Sequence, residues 1–208
     1  MPQRAYLRLV SLSFSLALLG LSVHAAEVAQ PELLMRAAWN AKPANINLMR
    51  AQSRIKGIII HHTGERQQPK VSLERKLRGL QSFSTQPAVL GGTKKAKPAW
   101  GDMPYHFYID VSGRIGEGRD VAFAGDTNTG YVTDGFIQVV VEGEFGKETP
   151  DPRQLAALDS LVIWLAGRFK VPAAAITGHN DHAKSECPGR NFKPYLTELR
   201  TKVTAALK

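Results

Sequence analysis

Three side chains with metal-binding chemistry lie far apart in this chain, and joining them strongly constrains the fold. One polar run carries His179 and, eight residues later, Cys187, which is the only cysteine. Far upstream, the apolar run Ile58–Ile60 is followed by His61. Two imidazoles and one thiolate fill three of the four positions around a tetrahedral zinc ion. The fourth position then remains for water, as in hydrolytic zinc enzymes.

The cysteine has two other interpretations. A buried free cysteine can act as a small hydrophobe, although the proline and glycine after Cys187 make this polar loop a poor core position. Alternatively, Cys187 is the nucleophile of a cysteine peptidase with His179 as its base. The proline that follows Cys187 would suit the helix N-terminus at which such nucleophiles are often placed. Metal ligation is the favoured interpretation.

The N-terminal residues have the pattern of a secretory signal peptide. Arg4 and Arg8 form a positive segment, Leu9–Leu21 is apolar, and a small residue follows at Ala25. We therefore expect residues 1–25 to be a signal peptide and residues 26–208 to be the mature domain. The apolar segment is too short for a spanning helix, so the expected location is periplasmic or secreted, without an integral membrane segment after cleavage.

The charge balance indicates an anionic partner without identifying it. The formal net charge is +9, which suits a cell-wall polymer, membrane headgroups or nucleic acid. Most of the basic residues are scattered, and no nucleic-acid-binding motif accompanies them. We therefore predict no nucleic-acid partner.

Hydrophobic periodicity predicts strands interleaved with helices in a single domain. This pattern indicates an α/β (α+β) fold with a central mixed β-sheet flanked by helices. Residues 84–102 are long for an unstructured connection, so they are either a functional loop near the site or a surface insertion. The predicted strands cover 56–61, 105–111 and 136–141, with a hairpin over 112–117, and the predicted helices cover 72–83, 151–169 and 194–206.

Four motifs stand in order along the chain: Ile60–Thr63, Tyr105–Asp110, Gly116–Arg119 and Gly178–Gly189. Together they resemble the type 2 N-acetylmuramoyl-L-alanine amidases, a superfamily that includes the peptidoglycan recognition proteins. The segment Arg36–Trp39 also resembles the opening of the recognition proteins. The resemblance extends over a motif-bearing core of about residues 36–195.

The resemblance implies a Zn²⁺ cleft on one edge of the sheet, with His61, His179 and Cys187 as metal ligands. It places the catalytic tyrosine at Tyr105. Ser185 stands where relatives have lysine or threonine, and we expect it to be a second, weaker donor. The implied reaction is hydrolysis of the amide between the lactyl group of N-acetylmuramic acid and L-alanine in peptidoglycan or muropeptides. A recognition module that binds peptidoglycan without cutting it is the alternative.

Further residues in or near the motifs have expected roles. We expect His62, Thr63 and Trp100 to contact substrate, although His62 fits a hydrogen-bonded wall residue equally well and Trp100 fits a core cap. His106 is expected to be structural. We expect His182 to be a solvated side chain. Asp181 is expected either to orient a ligand histidine or to stabilise the turn.

Overall fold

A six-stranded mixed sheet forms the centre of the protein. The computed structural model describes residues 28–90 and 95–208, so the predicted signal peptide lies outside the described residues. The sheet has the strand order β1-β6-β5-β7-β2-β8. In chain order the strands are β1 (Leu33–Leu34), β2 (Gly57–His62), β3 (Ala88–Val89), β4 (Ala96–Lys97), β5 (Phe107–Ile109), β6 (Ile115–Glu117), β7 (Phe136–Val141) and β8 (Ile176–Gly178).

The two longest strands lie side by side in the middle of this sheet. β2 pairs in parallel with β7 on one side and with β8 on the other. β7 also pairs in parallel with β5, which pairs antiparallel with β6. Because both faces of a central strand are covered, its sequence is a continuous apolar run, as in Ile58–Ile60. The predicted mixed sheet is confirmed.

Three helices flank the sheet close to their predicted positions. α1 spans Leu73–Ser84, α2 spans Pro152–Phe169 and α3 spans Lys193–Ala206. The Ser72 side chain accepts a hydrogen bond from the first turn of α1. Asp151 and Gln154 form a reciprocal capping box at the start of α2.

Alternate strand residues face different helices. Ile58 and Ile60 belong to a hydrophobic cluster that contains the buried residues of α2 and α3. Tyr108 and Val140 belong to a second cluster with Leu73 and Leu77 of α1. Because strand side chains alternate, residue 61 points to the α1 side of the sheet. That face therefore carries the site.

Within the connection over 84–102, the described residues include a short antiparallel pair of strands, β3 and β4, which we call the hairpin. Lys97 secures its base to the end of α1. Its buried ammonium donates to the carbonyl oxygens of Ser84, Gln86 and Pro98 at 2.7–2.8 Å. The hairpin is therefore attached to the helix that borders the site.

The strand predicted over 105–111 is shorter, because only Phe107–Ile109 pairs as β5. Tyr105 and His106 thus precede the strand, and alternation along it does not fix their directions.

Among the described helices, none has the length and apolar character needed to cross a membrane.

Candidate metal centre and adjoining cleft

Neighbouring parallel strands bring the two predicted ligand histidines to one edge of the sheet. Ile60 of β2 is in register with Gly178 of β8, so His61 and His179 follow at the same level. Cys187 comes from the turn between β8 and α3. One ligand atom from each of these three residues lies within 4.8 Å of the other two.

The cysteine loop folds tightly against the end of β2. The Cys187 sulfur lies 3.6 Å from Nδ1 of His61 and accepts the backbone N–H of His62 at 3.2 Å. Gly189 has φ +102°, and a Cβ there would meet the Phe145 backbone at 2.4 Å. Only glycine fits this bend, which explains its place in the motif.

Each of the two candidate ligand histidines is also held by a neutral oxygen. Nε2 of His61 lies 2.6 Å from Oε1 of Gln138. Nε2 of His179 lies 2.8 Å from Oγ1 of Thr129. Hydrogen bonds of this kind orient metal-binding imidazoles in proteins. Sequence analysis identified neither Gln138 nor Thr129.

The donor set fits zinc chemically. Burial, followed by the neighbouring His179, lowers the pKa of His61 to about 3. Burial and then His182 lower the pKa of His179 to about 4, so both imidazoles are neutral near pH 7. Burial raises the pKa of the Cys187 thiol to about 12. A divalent cation at this point would reverse that effect and bind the thiolate with the two neutral imidazoles.

This arrangement does not suit a nucleophilic cysteine. Cys187 is buried, and no helix begins at the proline after it, since α3 starts at Lys193. The imidazole nitrogen within hydrogen-bond distance of its sulfur belongs to His61, whereas the peptidase interpretation requires His179. The helix N-terminus expected for the peptidase interpretation is therefore absent from this described loop.

Tyr105 lies beside the three ligands. Its ring centroid is 5.2 Å from that of His61. Burial, and then the nearby Cys187, raise the pKa of the Tyr105 phenol. The phenol therefore stays protonated and can donate a hydrogen bond. Ser185 lies nearby, where its hydroxyl accepts the Cys187 N–H at 3.1 Å and is 3.4 Å from Nδ1 of His179.

A cleft of about 760 Å³ opens beside Tyr105 on the α1 side. Thr63 and Trp100, both predicted to contact substrate, line it. His62 is not among its lining residues, because its Nδ1 accepts the Phe145 N–H at 3.2 Å. The cleft lining also includes Arg66, Arg75, Lys76, Leu80, Phe83, Leu90, Pro104, Tyr108, Asn128 and Glu142.

A sequence comparison identifies the family of this chain. Residues 51–190, more than half of the chain, match the family model for N-acetylmuramoyl-L-alanine amidase. The chain belongs to the N-acetylmuramoyl-L-alanine amidase family.

Individual relatives of this amidase-family chain agree with that assignment. Peptidoglycan-recognition protein SD of Drosophila simulans is 28% identical over 180 residues, which cover 84% of this chain and 88% of the relative. Human N-acetylmuramoyl-L-alanine amidase is 24% identical over 76% of this chain and 27% of its own length. The solved endolysin amidase LysCS of Clostridium intestinale has a TM-score of 0.63 at 22% identity, covering 83% of this chain and 97% of its own, and supports the fold.

In this amidase-family chain, one further aromatic residue, Tyr131, lies at the site and was not predicted from the sequence. The ring centroid of Tyr131 lies 5.1 Å from that of His179, and its hydroxyl donates to Oε1 of Gln138 at 3.2 Å. Tyr131 belongs to a loop rich in threonine, asparagine and glycine. A single aromatic residue in such a loop was the one available signal.

Two further histidines within the described residues of this amidase-family chain, His106 and His182, are structural. His106 is fully buried between two backbone groups, as expected. The solvated side chain predicted at His182 is wrong, because its Nε2 is 2.8 Å from Oγ1 of Thr177 and its ring packs 5.1 Å from that of Phe136. Asp181 accepts the Gly178 N–H at 2.8 Å, which stabilises the turn.

Proposed function

We propose that this protein is a zinc-dependent hydrolase of the amide between the lactyl group of N-acetylmuramic acid and L-alanine. The observation that carries this proposal is the grouping of His61, His179 and Cys187 within 4.8 Å of one another. The group lies next to Tyr105, which lines the cleft. Membership of the amidase family supports the same reaction. Peptidoglycan or a soluble muropeptide is the proposed substrate.

When bound to three protein ligands, zinc acts as a Lewis acid that makes hydroxide available near neutral pH. His61, His179 and Cys187 would hold it. Tyr105, protonated and next to the ligands, would donate a hydrogen bond to the carbonyl oxygen as negative charge develops there. Such donors act most strongly in buried sites that are already organised before the reaction.

The other proposed site residues have supporting roles. Ser185 would assist Tyr105 as a weaker donor, although its hydroxyl also accepts the Cys187 N–H. Thr63 and Trp100 would contact the substrate from the cleft walls. His62 would shape the wall beside Phe145, to whose backbone it is bonded.

The proposed place of action is outside the cytoplasm. The positive and apolar segments before Ala26 support export to the periplasm or the medium. The formal net charge is +9 for the full sequence and +7 without Arg4 and Arg8 of the signal segment, and this positive charge suits an anionic wall polymer.

Product analysis tests the reaction directly. A defined N-acetylmuramoyl peptide is incubated with zinc-loaded protein, and mass spectrometry identifies the fragments. We expect a free lactyl carboxylate on the sugar and a free amine on L-alanine, with neither product from His61→Ala. Cleavage at another bond would refute the proposed specificity.

A binding-only function is the second candidate, since a similar protein of Drosophila is named a recognition protein. The presence of all three ligand residues together with Tyr105 favours hydrolysis. A zinc-loaded protein that binds the same peptide and leaves it intact would support recognition instead. Activity that survives zinc removal but is lost on thiol alkylation would support the cysteine peptidase.

A further inference from the structure

Gln138 lies between the candidate metal centre and the framework of the sheet. Its side chain is buried on the β7 face that carries Val140, which is the α1 side. Its backbone N–H donates to Nδ1 of the His106 ring at 2.8 Å, and its backbone carbonyl accepts the backbone N–H of His106 at 2.9 Å. The glutamine is therefore fixed at its backbone before its side chain meets the site.

The carboxamide oxygen of Gln138 determines which nitrogen of His61 carries the proton. This oxygen can only accept hydrogen bonds. The hydroxyl of Tyr131 donates to it at 3.2 Å, and Nε2 of His61 lies 2.6 Å away. Nε2 must therefore be protonated, and Nδ1 keeps its lone pair. That free nitrogen lies 3.6 Å from the Cys187 sulfur.

We propose that Gln138 is a positioning residue, which holds His61 in the tautomer and orientation needed to bind the metal through Nδ1. This inference rests on the proposed function for the identity of the metal. It adds the assignment of a residue that lies 77 positions from His61 in the sequence.

The neighbouring contacts explain why a glutamine suits this place. The Gln138 side chain packs directly against Gly125. A Cβ added there would lie only 2.8 Å from Cγ of Gln138, so the Gly125 backbone confines the side chain on that side. Nε2 of Gln138 has no hydrogen-bond partner within the described residues. A buried NH2 group without a partner costs stability. The hydrogen bond between the carboxamide oxygen and His61 explains why a glutamine is nevertheless present here.

The same arrangement occurs at the second imidazole. Oγ1 of Thr129 lies 2.8 Å from Nε2 of His179 and 2.7 Å from Oγ1 of Thr127. Both ligand histidines are thus held at Nε2 by uncharged oxygens. Because neither oxygen belongs to a carboxylate, these partners add no negative charge to the thiolate of Cys187.

Zinc affinity in three variants tests the inference. Gln138→Leu removes the acceptor and keeps an apolar side chain of similar size, whereas Gln138→Glu keeps an acceptor oxygen at the same place. Gln81→Leu is the matched control, since Gln81 is also buried and hydrogen-bonded but its partners are Lys42 and Asp102. Competition with a chelator gives the dissociation constant of each zinc complex, and circular dichroism confirms folding.

We expect Gln138→Leu to weaken zinc binding about 10–100-fold, the usual loss when the partner of a ligand histidine is removed. Gln138→Glu should keep or tighten binding, and Gln81→Leu should match the wild type. A purely packing role predicts the reverse order, because leucine is easier to bury than a carboxylate. Equal affinity in Gln138→Leu and the wild type would overturn the inference.

Nitrogen-15 NMR of the metal-free protein supplies a second, independent readout. The wild-type spectrum should show His61 protonated at Nε2, and Gln138→Leu should show a mixture of tautomers. An unchanged tautomer in that variant would also refute the assignment. Failure of the proposed function would look different, as a wild type that binds zinc through His61 yet leaves muropeptide intact.

Discussion

At the scale of single residues, the proposed role of Tyr105 is to donate a hydrogen bond to the reacting carbonyl. Tyr105→Phe removes the hydroxyl and keeps the ring against His61. We expect kcat to fall about 10²–10³-fold, as when one oxyanion donor is lost. Zinc content should stay at the wild-type value, since Tyr105 is not a ligand.

Tyr195→Phe is the control for that experiment. The Tyr195 hydroxyl donates hydrogen bonds to Leu155 and Asp159 on α2. This helix covers the opposite face of the sheet. Activity should therefore be unchanged. A Tyr105→Phe protein as active as Tyr195→Phe would exclude the phenol from the reaction.

His106 should make stability depend on pH. Its Nδ1 accepts the Gln138 N–H while its Nε2 donates to the Phe123 carbonyl, so only the neutral ring fits. Burial lowers its pKa from 6.5 to about 4. The unfolded chain therefore binds more protons below pH 6.5, and stability is lost as pH falls from 6.5 towards 4.

Urea unfolding measures this contribution. Lowering the pH from 7 to 5 should cost the wild type about 2 kcal/mol through His106 alone. His106→Gln removes this titration, so its free energy of unfolding should fall less over the same interval. Parallel pH profiles for the two proteins would show that His106 is not held neutral.

At the scale of elements, the cysteine loop depends on close contact at Gly178. A Cβ there would meet Oδ1 of Asn180 at 2.6 Å and Cδ of Pro188 at 2.9 Å. Gly178→Ala should therefore displace Cys187, weaken zinc binding by at least about tenfold and destabilise the fold by about 1–3 kcal/mol. Chelator competition and urea unfolding measure the two effects.

Gly79 in α1 offers the matched glycine control. A Cβ there meets no described atom within 4 Å. Gly79→Ala should leave zinc binding unchanged and stabilise the helix by up to about 1 kcal/mol. Equal zinc affinities in the Gly178 and Gly79 variants would contradict the packing argument.

The hairpin of β3 and β4 should depend on Lys97. Lys97→Met leaves the carbonyls of Ser84, Gln86 and Pro98 without their buried donor. We expect a loss of about 1–3 kcal/mol and faster amide exchange over residues 85–90 and 95–97. KM should rise, because Trp100 borders the cleft. Zinc content should not change.

Lys147→Met is the control for the hairpin, since that lysine is exposed. Its stability should stay within about 0.5 kcal/mol of the wild type. If amide exchange over the hairpin is as slow in Lys97→Met as in Lys147→Met, Lys97 does not anchor the hairpin.

The sequence predicted those parts of the fold that depend on local pattern. β2, β7 and the three helices have strong periodicity or caps, and all lie within a residue or two of their predicted positions. The hairpin was missed because two-residue strands leave no periodic signal. The hydrogen bond of His182 to Thr177 was missed because it depends on how the turn folds back.

At the scale of the whole molecule, the ligands come together because β2 and β8 are neighbours although 113 residues separate the two strands in the chain. The ligand types were visible in the sequence, together with the resemblance that connects them. The oxygens that hold the two histidines were not visible in the sequence. Gln138 and Thr129 lie next to the histidines only because of the pairing of the sheet and the fold of one loop. Sequence motifs therefore predict the donor set, and the fold determines how each donor is oriented.

The central claim is that one zinc ion is held by two imidazoles and one thiolate beside an open position. X-ray absorption at the zinc edge of the loaded protein tests it most directly. The account predicts one sulfur at about 2.3 Å, two imidazole nitrogens at about 2.0–2.1 Å and one further light atom. A spectrum without a sulfur neighbour, or unchanged by Cys187→Ser, would contradict it.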